Sequence, residues 1–191
     1  METFISESRL SDLSLCDSLI KYHEENSEYK TRGFTTEGEA KGGKTSTDVR
    51  VNPGTQNPII QNYIKELVDI VRDYAEKYSI QNIRIKEAFN IQHYLPNEGY
   101  LTWHYERNSY QSDQRALVFM TYLNDVDDGG ETEFKFQDIK VKPEKGKTLI
   151  WPTDFTHTHR GVVSKTEHKY IATGWINFFD VIDFQQVFFK K

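Results

Sequence analysis

Apolar residues recur at helical spacing in two places within the first third of the chain. Over 57–79 (NPIIQNYIKELVDIVRDYAEKYS), Ile60, Tyr63, Ile64, Leu67, Ile70 and Val71 share one side of a helix whose other side is charged. Residues 9–26 place Leu10, Leu13, Leu15, Leu19 and Ile20 in the same way, with Ser11, Asp12 or Ser14 as candidate caps. Between the two, 27–56 reads as a long polar loop rich in Gly, Thr, Lys and Glu. Long loops in compact domains are usually functional or disordered. Gly43-Lys44-Thr45 invites comparison with a phosphate-binding loop, but no strand is expected before it and that reading is rejected.

Beyond residue 84 the period changes from helical to alternating. RIKEAFNIQHY, LTWHYE, RALVFMTYLN, ETEFKF, KTLIWP, THTHRGVV and KYIATGWINFF are short, aromatic and β-branched, with turn-forming residues in most of the gaps. Helices followed by a run of strands predict an α+β domain whose sheet closes or folds over itself. The expected organisation is a single domain over 1–191, with 1–80 as helical support and polar loop and 84–179 as the β core. The ending, DVIDFQQVFFKK, suits a short helix or an extended tail.

Composition narrows the function classes. A formal charge of −5 argues against a general nucleic-acid backbone binder, which needs a basic face. Cys16 is the one cysteine, so no internal disulfide forms and a reducing compartment is compatible. No apolar run approaches membrane-spanning length, and the first residues lack a signal peptide's basic start and apolar stretch. A cytoplasmic enzyme or binding domain, without nucleic-acid or membrane partners, is the expectation.

The histidines carry the candidate chemistry. Of the six, His93, His104, His157 and His159 fall in expected strands or at their edges, where a rigid site is built. His104-Tyr105-Glu106 would project an imidazole and a carboxylate from one strand face. With a second histidine from another strand this makes the two-histidine, one-carboxylate facial arrangement that leaves positions open on iron(II). The spacing by itself also describes a solvated salt-bridge face, the commoner outcome. His157 and His159 would share a strand face, so geometry leaves both open as the second histidine. His93 and His168 are expected to be structural or solvent-facing, and His23 to lie on a helix surface.

The downstream sequence changes that balance. Tyr94, Gly99 and Tyr100 lead to His104-x-Glu106; then come Arg115, Tyr122-Leu123-Asn124 and Gly129-Gly130-Glu131-Thr132-Glu133-Phe134. Pro143-Glu144-Lys145-Gly146 precedes the strand 147–152, and His159-Arg160-Gly161 precedes Lys169-Tyr170 and Trp175. This ordered series, from about Ile91 to Phe179, resembles the prolyl 4-hydroxylase-like branch of the 2-oxoglutarate/iron(II) oxygenases. The resemblance implies a double-stranded β-helix (jelly-roll) core flanked by N-terminal helices. It implies iron(II) held by His104, Glu106 and His159, with 2-oxoglutarate as co-substrate, dioxygen, and ascorbate as a further cofactor. His159 is preferred over His157 because the family's basic anchor for the distal carboxylate of 2-oxoglutarate follows the iron ligand by nine or ten positions, and Lys169 meets that spacing. Arg160, adjacent to His159, should point to the opposite face.

Tyr94 and Tyr100 are then candidate hydroxyl donors to the co-substrate, with core packing as the plain alternative. The family usually has Asp where this chain has Glu106, which is one methylene longer and still a hard oxygen donor. Chlorinating relatives carry a small residue there, so a carboxylate points to hydroxylation. The implied substrate is a prolyl residue in a peptide or protein, with succinate and carbon dioxide released. Lys30–Asn52 and Arg107–Gln114 would be mobile lids over it. Trp103, Tyr105, Tyr110 and Trp151 would offer a stacking surface, at least half of them serving instead as core or exterior residues. The competing readings are a hydroxylase of a free amino acid or other small molecule, a non-catalytic metal-binding jelly roll, and an interaction module docking through 27–56.

Overall fold

The computed structural model describes residues 2–33 and 43–179. The helix expected over 57–79 is α2 (Pro58–Lys77), and its start follows from local chemistry. The Asn57 side chain accepts the backbone N–H groups of Ile59 and Ile60, and Pro58 occupies the first turn, where no N–H is needed. The earlier helix is α1 (Ser14–Glu25). The residue flanking its start is Leu13, which makes no side-chain cap bond. Asp12 instead accepts the N–H of Ser14 at 2.9 Å. The Glu66 carboxylate of α2 takes the N–H groups of Ser11 at 2.7 Å and Asp12 at 3.1 Å.

Eleven strands lie among the described residues: β1 (Ser6–Arg9), β2 (Lys30–Arg32), β3 (Thr47–Val51), β4 (Ile83–Arg84), β5 (Phe89–Tyr94), β6 (Arg115–Tyr122), β7 (Thr132–Phe134), β8 (Ile139–Val141), β9 (Lys147–Pro152), β10 (His159–Gly161) and β11 (Lys169–Phe178). The large sheet runs β1-β9-β6-β11-β5-β3-β2, with β4 paired to the end of β11; the small sheet runs β10-β7-β8. All the pairings are antiparallel.

The layers are helices, large sheet and small sheet. Ile60, Tyr63 and Leu67 of α2 pack with Leu19 of α1 on Phe89, Ile91, Phe119 and Ile176, which form one face of the large sheet. On the other face Val118, Met120, Leu149 and Trp151 meet Phe134 and Val141 of the small sheet. Strand β6 is buried on both faces from Leu117 onward, which is why LVFMTY reads as a continuous apolar run rather than an alternation.

Two expectations change. The stretch 27–56 is not one loop: Ser27–Tyr29 forms a 3-10 turn, and β2 and β3 extend the large sheet. Val49 and Val51 are buried while Arg50 is exposed, a short alternation outweighed in the sequence by its polar flanks. Gly38, Gly43, Lys44 and Thr45 have the spacing of a phosphate-binding loop, and β2 precedes them, but the next element is strand β3 and not a helix. Among the described residues, no helix N-terminus therefore follows Lys44-Thr45 to hold a phosphate. Residues 34–42 of this stretch, and the tail 180–191, lie outside the described residues.

Candidate metal centre

Between the two sheets lies a cavity of about 780 Å³, with His104, Glu106, His159, Lys169, Tyr94 and Tyr100 among its lining residues. The segment carrying His104 and Glu106 is not the expected strand; His104 makes only an isolated bridge to His159. Backbone bonds at alternate residues still hold it extended. His104 N–H donates to the His159 carbonyl at 3.0 Å, and the reverse bond is 2.9 Å. Gly161 N–H donates to Tyr100 at 2.7 Å, and Glu106 N–H to Thr153 at 3.0 Å. The i, i+2 convergence expected of a strand therefore survives without a ladder.

Glu106 Oε1 lies 3.4 Å from His104 Nε2 and 3.6 Å from His159 Nε2. One ligand atom from each of the three residues fits within 4.8 Å of the others. Donors each about 2.1 Å from one ion stand roughly 3 Å or more apart, so small movements complete such a site. The tautomers agree. His104 Nδ1 is 2.8 Å from the Thr102 carbonyl and His159 Nδ1 is 2.9 Å from the His157 carbonyl. A carbonyl only accepts, so both Nδ1 atoms carry hydrogen and both Nε2 atoms turn lone pairs toward a carboxylate. That juxtaposition of three electron-pair donors calls for a cation, and the donor set fits iron(II).

The electrostatics support this. Burial alone would raise the Glu106 carboxyl, but the two facing histidines outweigh it and hold the group well below the usual carboxylate range. Burial, with His104 adding to it, lowers His159 and favours the neutral imidazole a metal needs. The other oxygen of Glu106 is fixed by Trp175, whose indole N–H donates to Oε2 at 2.9 Å. The Arg115 guanidinium lies 3.4 Å from the Trp175 ring centre and is itself paired to Glu87 at 2.8 Å. Neither tether was anticipated, because they link residues up to 69 positions apart.

Lys169 opens β11 and is 5% exposed. Its Nζ donates to the Gly130 carbonyl at 3.1 Å and lies 4.8 Å from the Tyr94 ring centre. No carboxylate pairs with it among the described residues. Burial pushes its amine down from 10.5 to about 8, with only Glu131 acting against. Gly130 has φ +76°, and a Cβ there would crowd Val126 at 3.1 Å and Pro143 at 3.2 Å while just touching Lys169 Cδ at 3.4 Å. Tyr94 pairs with Lys169 across the β5–β11 register, and its hydroxyl donates to Gln92 Oε1 at 2.7 Å. Tyr100 stacks on His104 at 3.6 Å.

Other expected residues fall elsewhere. His157 does not share a strand face with His159; it ends the 3-10 turn Phe155–His157, and its Nε2 donates to the Thr3 carbonyl at 2.9 Å. His23 is not a surface residue but fully buried, 3.0 Å from the Thr47 carbonyl. His93 and His168 hydrogen-bond to each other at 2.8 Å. Trp151 is core and Tyr110 is 87% exposed, while Trp103 lies under the Arg160 guanidinium at 4.4 Å. Arg160 pairs with Glu133 at 2.7 Å and lines the same cavity, so the expectation that it turns to the opposite face does not hold. Arg107–Gln114 is a bonded turn in place of an expected lid, with Arg107 held to Asp154 at 2.6 Å. No local pattern announced the polar chain along the cavity wall, in which Gln92 Nε2 donates to Asp48 at 3.1 Å and Lys44 pairs with Asp48 at 2.7 Å.

Comparison with known proteins agrees with this geometry. Residues 89–177 match the family model described as the 2OG-Fe(II) oxygenase superfamily. "Probable prolyl 4-hydroxylase 9" of Arabidopsis thaliana is 25% identical over 171 residues, covering 76% of this chain and 57% of the relative. Prolyl 4-hydroxylase 5 of the same plant is 30% identical over 105 residues, covering 52% and 35%. The chain thus spans about half the length of the curated relatives it matches. The viral collagen prolyl hydroxylase of Paramecium Bursaria Chlorella virus-1, in its 2OG complex, superposes with TM-score 0.73 at 20% identity, covering 92% of this chain and 97% of that one. A Trichoplax adhaerens prolyl hydroxylase, bound to a hypoxia inducible factor oxygen degradation domain peptide fragment, gives TM-score 0.75 at 14% identity, covering 99% and 88%. The fold is the double-stranded β-helix of these enzymes.

Proposed function

We propose that this chain, whose residues 89–177 match the model described as the 2OG-Fe(II) oxygenase superfamily, is an iron(II)- and 2-oxoglutarate-dependent hydroxylase acting on a prolyl residue of a peptide or protein. Iron(II), bound with 2-oxoglutarate and dioxygen, supplies the chemistry that couples oxidative decarboxylation of the co-substrate to hydroxylation of a C–H bond. The chain's residues hold and orient. His104 and His159 present Nε2 and Glu106 presents Oε1, while Trp175 keeps Oε2 from swinging into the centre.

The observation that carries the reading is Lys169, a buried cation with no carboxylate partner among the described residues, lining the same cavity as the three donors. A dicarboxylate bound by one end at the metal would bring its other carboxylate to that amine, giving a charge-assisted pair in a desolvated site. Tyr94 and Tyr100 border the same space and would offer hydroxyl groups to the co-substrate, Tyr94 by turning its O–H away from Gln92. Val118, Met120 and Ile171 give the cavity an apolar wall that limits water around the reacting atoms. The peptide substrate is suggested by the relatives, and ascorbate as an activator belongs to the same proposal.

The test is succinate formation from 2-oxoglutarate by anaerobically iron-loaded protein exposed to air, in the presence of proline-containing peptides. Wild type should form succinate and add one oxygen atom to a peptide. His104→Ala should lose both, and Lys169→Ala should require far more 2-oxoglutarate. Turnover without any modified peptide would overturn prolyl specificity; absence of 2-oxoglutarate binding would overturn the enzyme.

A further inference from the structure

We propose that His23, Glu24 and His93 form a second divalent-metal site, of the zinc type, on the helix-packed face of the large sheet. It lies apart from the catalytic cavity. Strand alternation turns Gln92 and Tyr94 into the cavity and His93 to the opposite side, where α1 crosses the sheet. Ligand atoms of the three residues lie within 4.8 Å of one another. Glu24 Oε1 is 3.3 Å from His23 Nδ1 and 3.9 Å from His93 Nδ1.

Hydrogen bonding explains why these atoms call for a cation. His23 is fully buried, and its Nε2 is 3.0 Å from the Thr47 carbonyl, so that nitrogen carries the hydrogen. Its Nδ1 then directs a lone pair at an ionised carboxylate. His93 Nε2 lies 2.8 Å from His168 Nδ1; with His93 as the donor, its Nδ1 also offers a lone pair to the same centre. Burial lowers His93 to about 4, so it is neutral at neutral pH and ready to ligate. Tyr170 stacks flat on His93 at 4.0 Å and fixes the ring plane.

Glu24 is held ionised. The Tyr170 hydroxyl donates to Oε1 at 2.7 Å and Lys30 Nζ donates to Oε2 at 3.1 Å. An oxygen has two lone pairs, so Oε1 can accept from Tyr170 and still ligate, and Lys30 engages the other oxygen. In tetrahedral zinc, with ligands at about 2.0–2.1 Å, neighbouring donors stand about 3.3 Å apart. Of the three separations, one already has that length, the second closes by about half an ångström, and the two histidine nitrogens, within 4.8 Å of each other, draw together with it. Two imidazoles and one carboxylate suit zinc, with water as fourth ligand on the side where Glu24 is exposed. Bound metal would tie α1 to β5 directly behind the Lys169–Tyr94 pair.

The experiment uses the full chain carrying His104→Ala and His159→Ala, which removes the first site and leaves the second intact. The metal-free protein, shown folded by circular dichroism, is titrated with cobalt(II) in visible absorption and with zinc(II) by calorimetry. The expected result is one equivalent bound, tetrahedral cobalt bands that zinc abolishes, and a rise in melting temperature. Adding His93→Gln or Glu24→Gln should remove the equivalent. Neither metal binding in excess would overturn the proposal and leave the cluster a proton-linked network. Binding that survives both added substitutions would also overturn it, since the metal would then sit elsewhere.

Discussion

Lys169 makes a prediction about stability that runs against intuition. Folding buries this amine with one carbonyl acceptor, and burial lowers its pKa from 10.5 to about 8. Such a drop corresponds to about 3 kcal/mol of destabilisation carried by the metal-free, co-substrate-free protein at neutral pH. Lys169→Met keeps an unbranched chain and removes the charge. It forfeits the bond to Gly130, worth about 1 kcal/mol. The ligand-free variant should therefore be more stable than wild type by about 1–2 kcal/mol, raising the melting temperature by roughly 2–8 °C for a chain of this size.

The pH dependence has a definite sign. The folded protein binds fewer protons than the unfolded chain between about 8 and 10.5, so wild-type stability gains on the variant as pH rises through that window. The advantage of Lys169→Met should be full below pH 8, shrink as pH rises, and turn slightly against the variant by about 10.5, where only the lost bond to Gly130 remains. Adding 2-oxoglutarate with a redox-inert divalent metal should invert the ranking, because ligand at about 100 times its Kd contributes about 2.7 kcal/mol to wild type alone. The assay is thermal unfolding at several pH values, with and without ligand. A variant less stable than wild type at pH 7 without ligand would refute the idea that this lysine waits uncompensated for an anion.

Trp175→Phe keeps a ring under Arg115 but deletes the N–H held by Glu106 Oε2, and should weaken anaerobic iron(II) binding about 10- to 100-fold while the fold persists. His157→Ala should leave metal stoichiometry unchanged and cost about 1–3 kcal/mol in denaturant unfolding, since its work is the bond to the Thr3 carbonyl. Gly130→Ala forces a side chain onto φ +76° beside Pro143 and Lys169. It should destabilise by about 1–2 kcal/mol and raise the 2-oxoglutarate Kd measured by calorimetry.

What the sequence determined by itself was carried by a sustained local period or by an ordered series of motifs. Helix α2 was legible because its apolar stripe and Asn57 cap are local. The gathering of His104, Glu106, His159 and Lys169 around one cavity was legible through the ordered motifs that carry the family resemblance, not through spacing alone. Residues 101–106 were misread as a strand, since His-x-Glu alternation looks the same whether a ladder or scattered backbone bonds hold it extended. Strand geometry left His157 and His159 open and the family spacing to Lys169 favoured His159; tertiary structure supplies the physical reason, because a 3-10 turn rotates one toward Thr3 while β10 aims the other at Glu106. It also buried His23 beside His93, drew β3 out of a polar stretch, and placed Trp175 on Glu106. Each of these depends on partners many residues away, and the energy of such a contact resides in neither residue's local sequence.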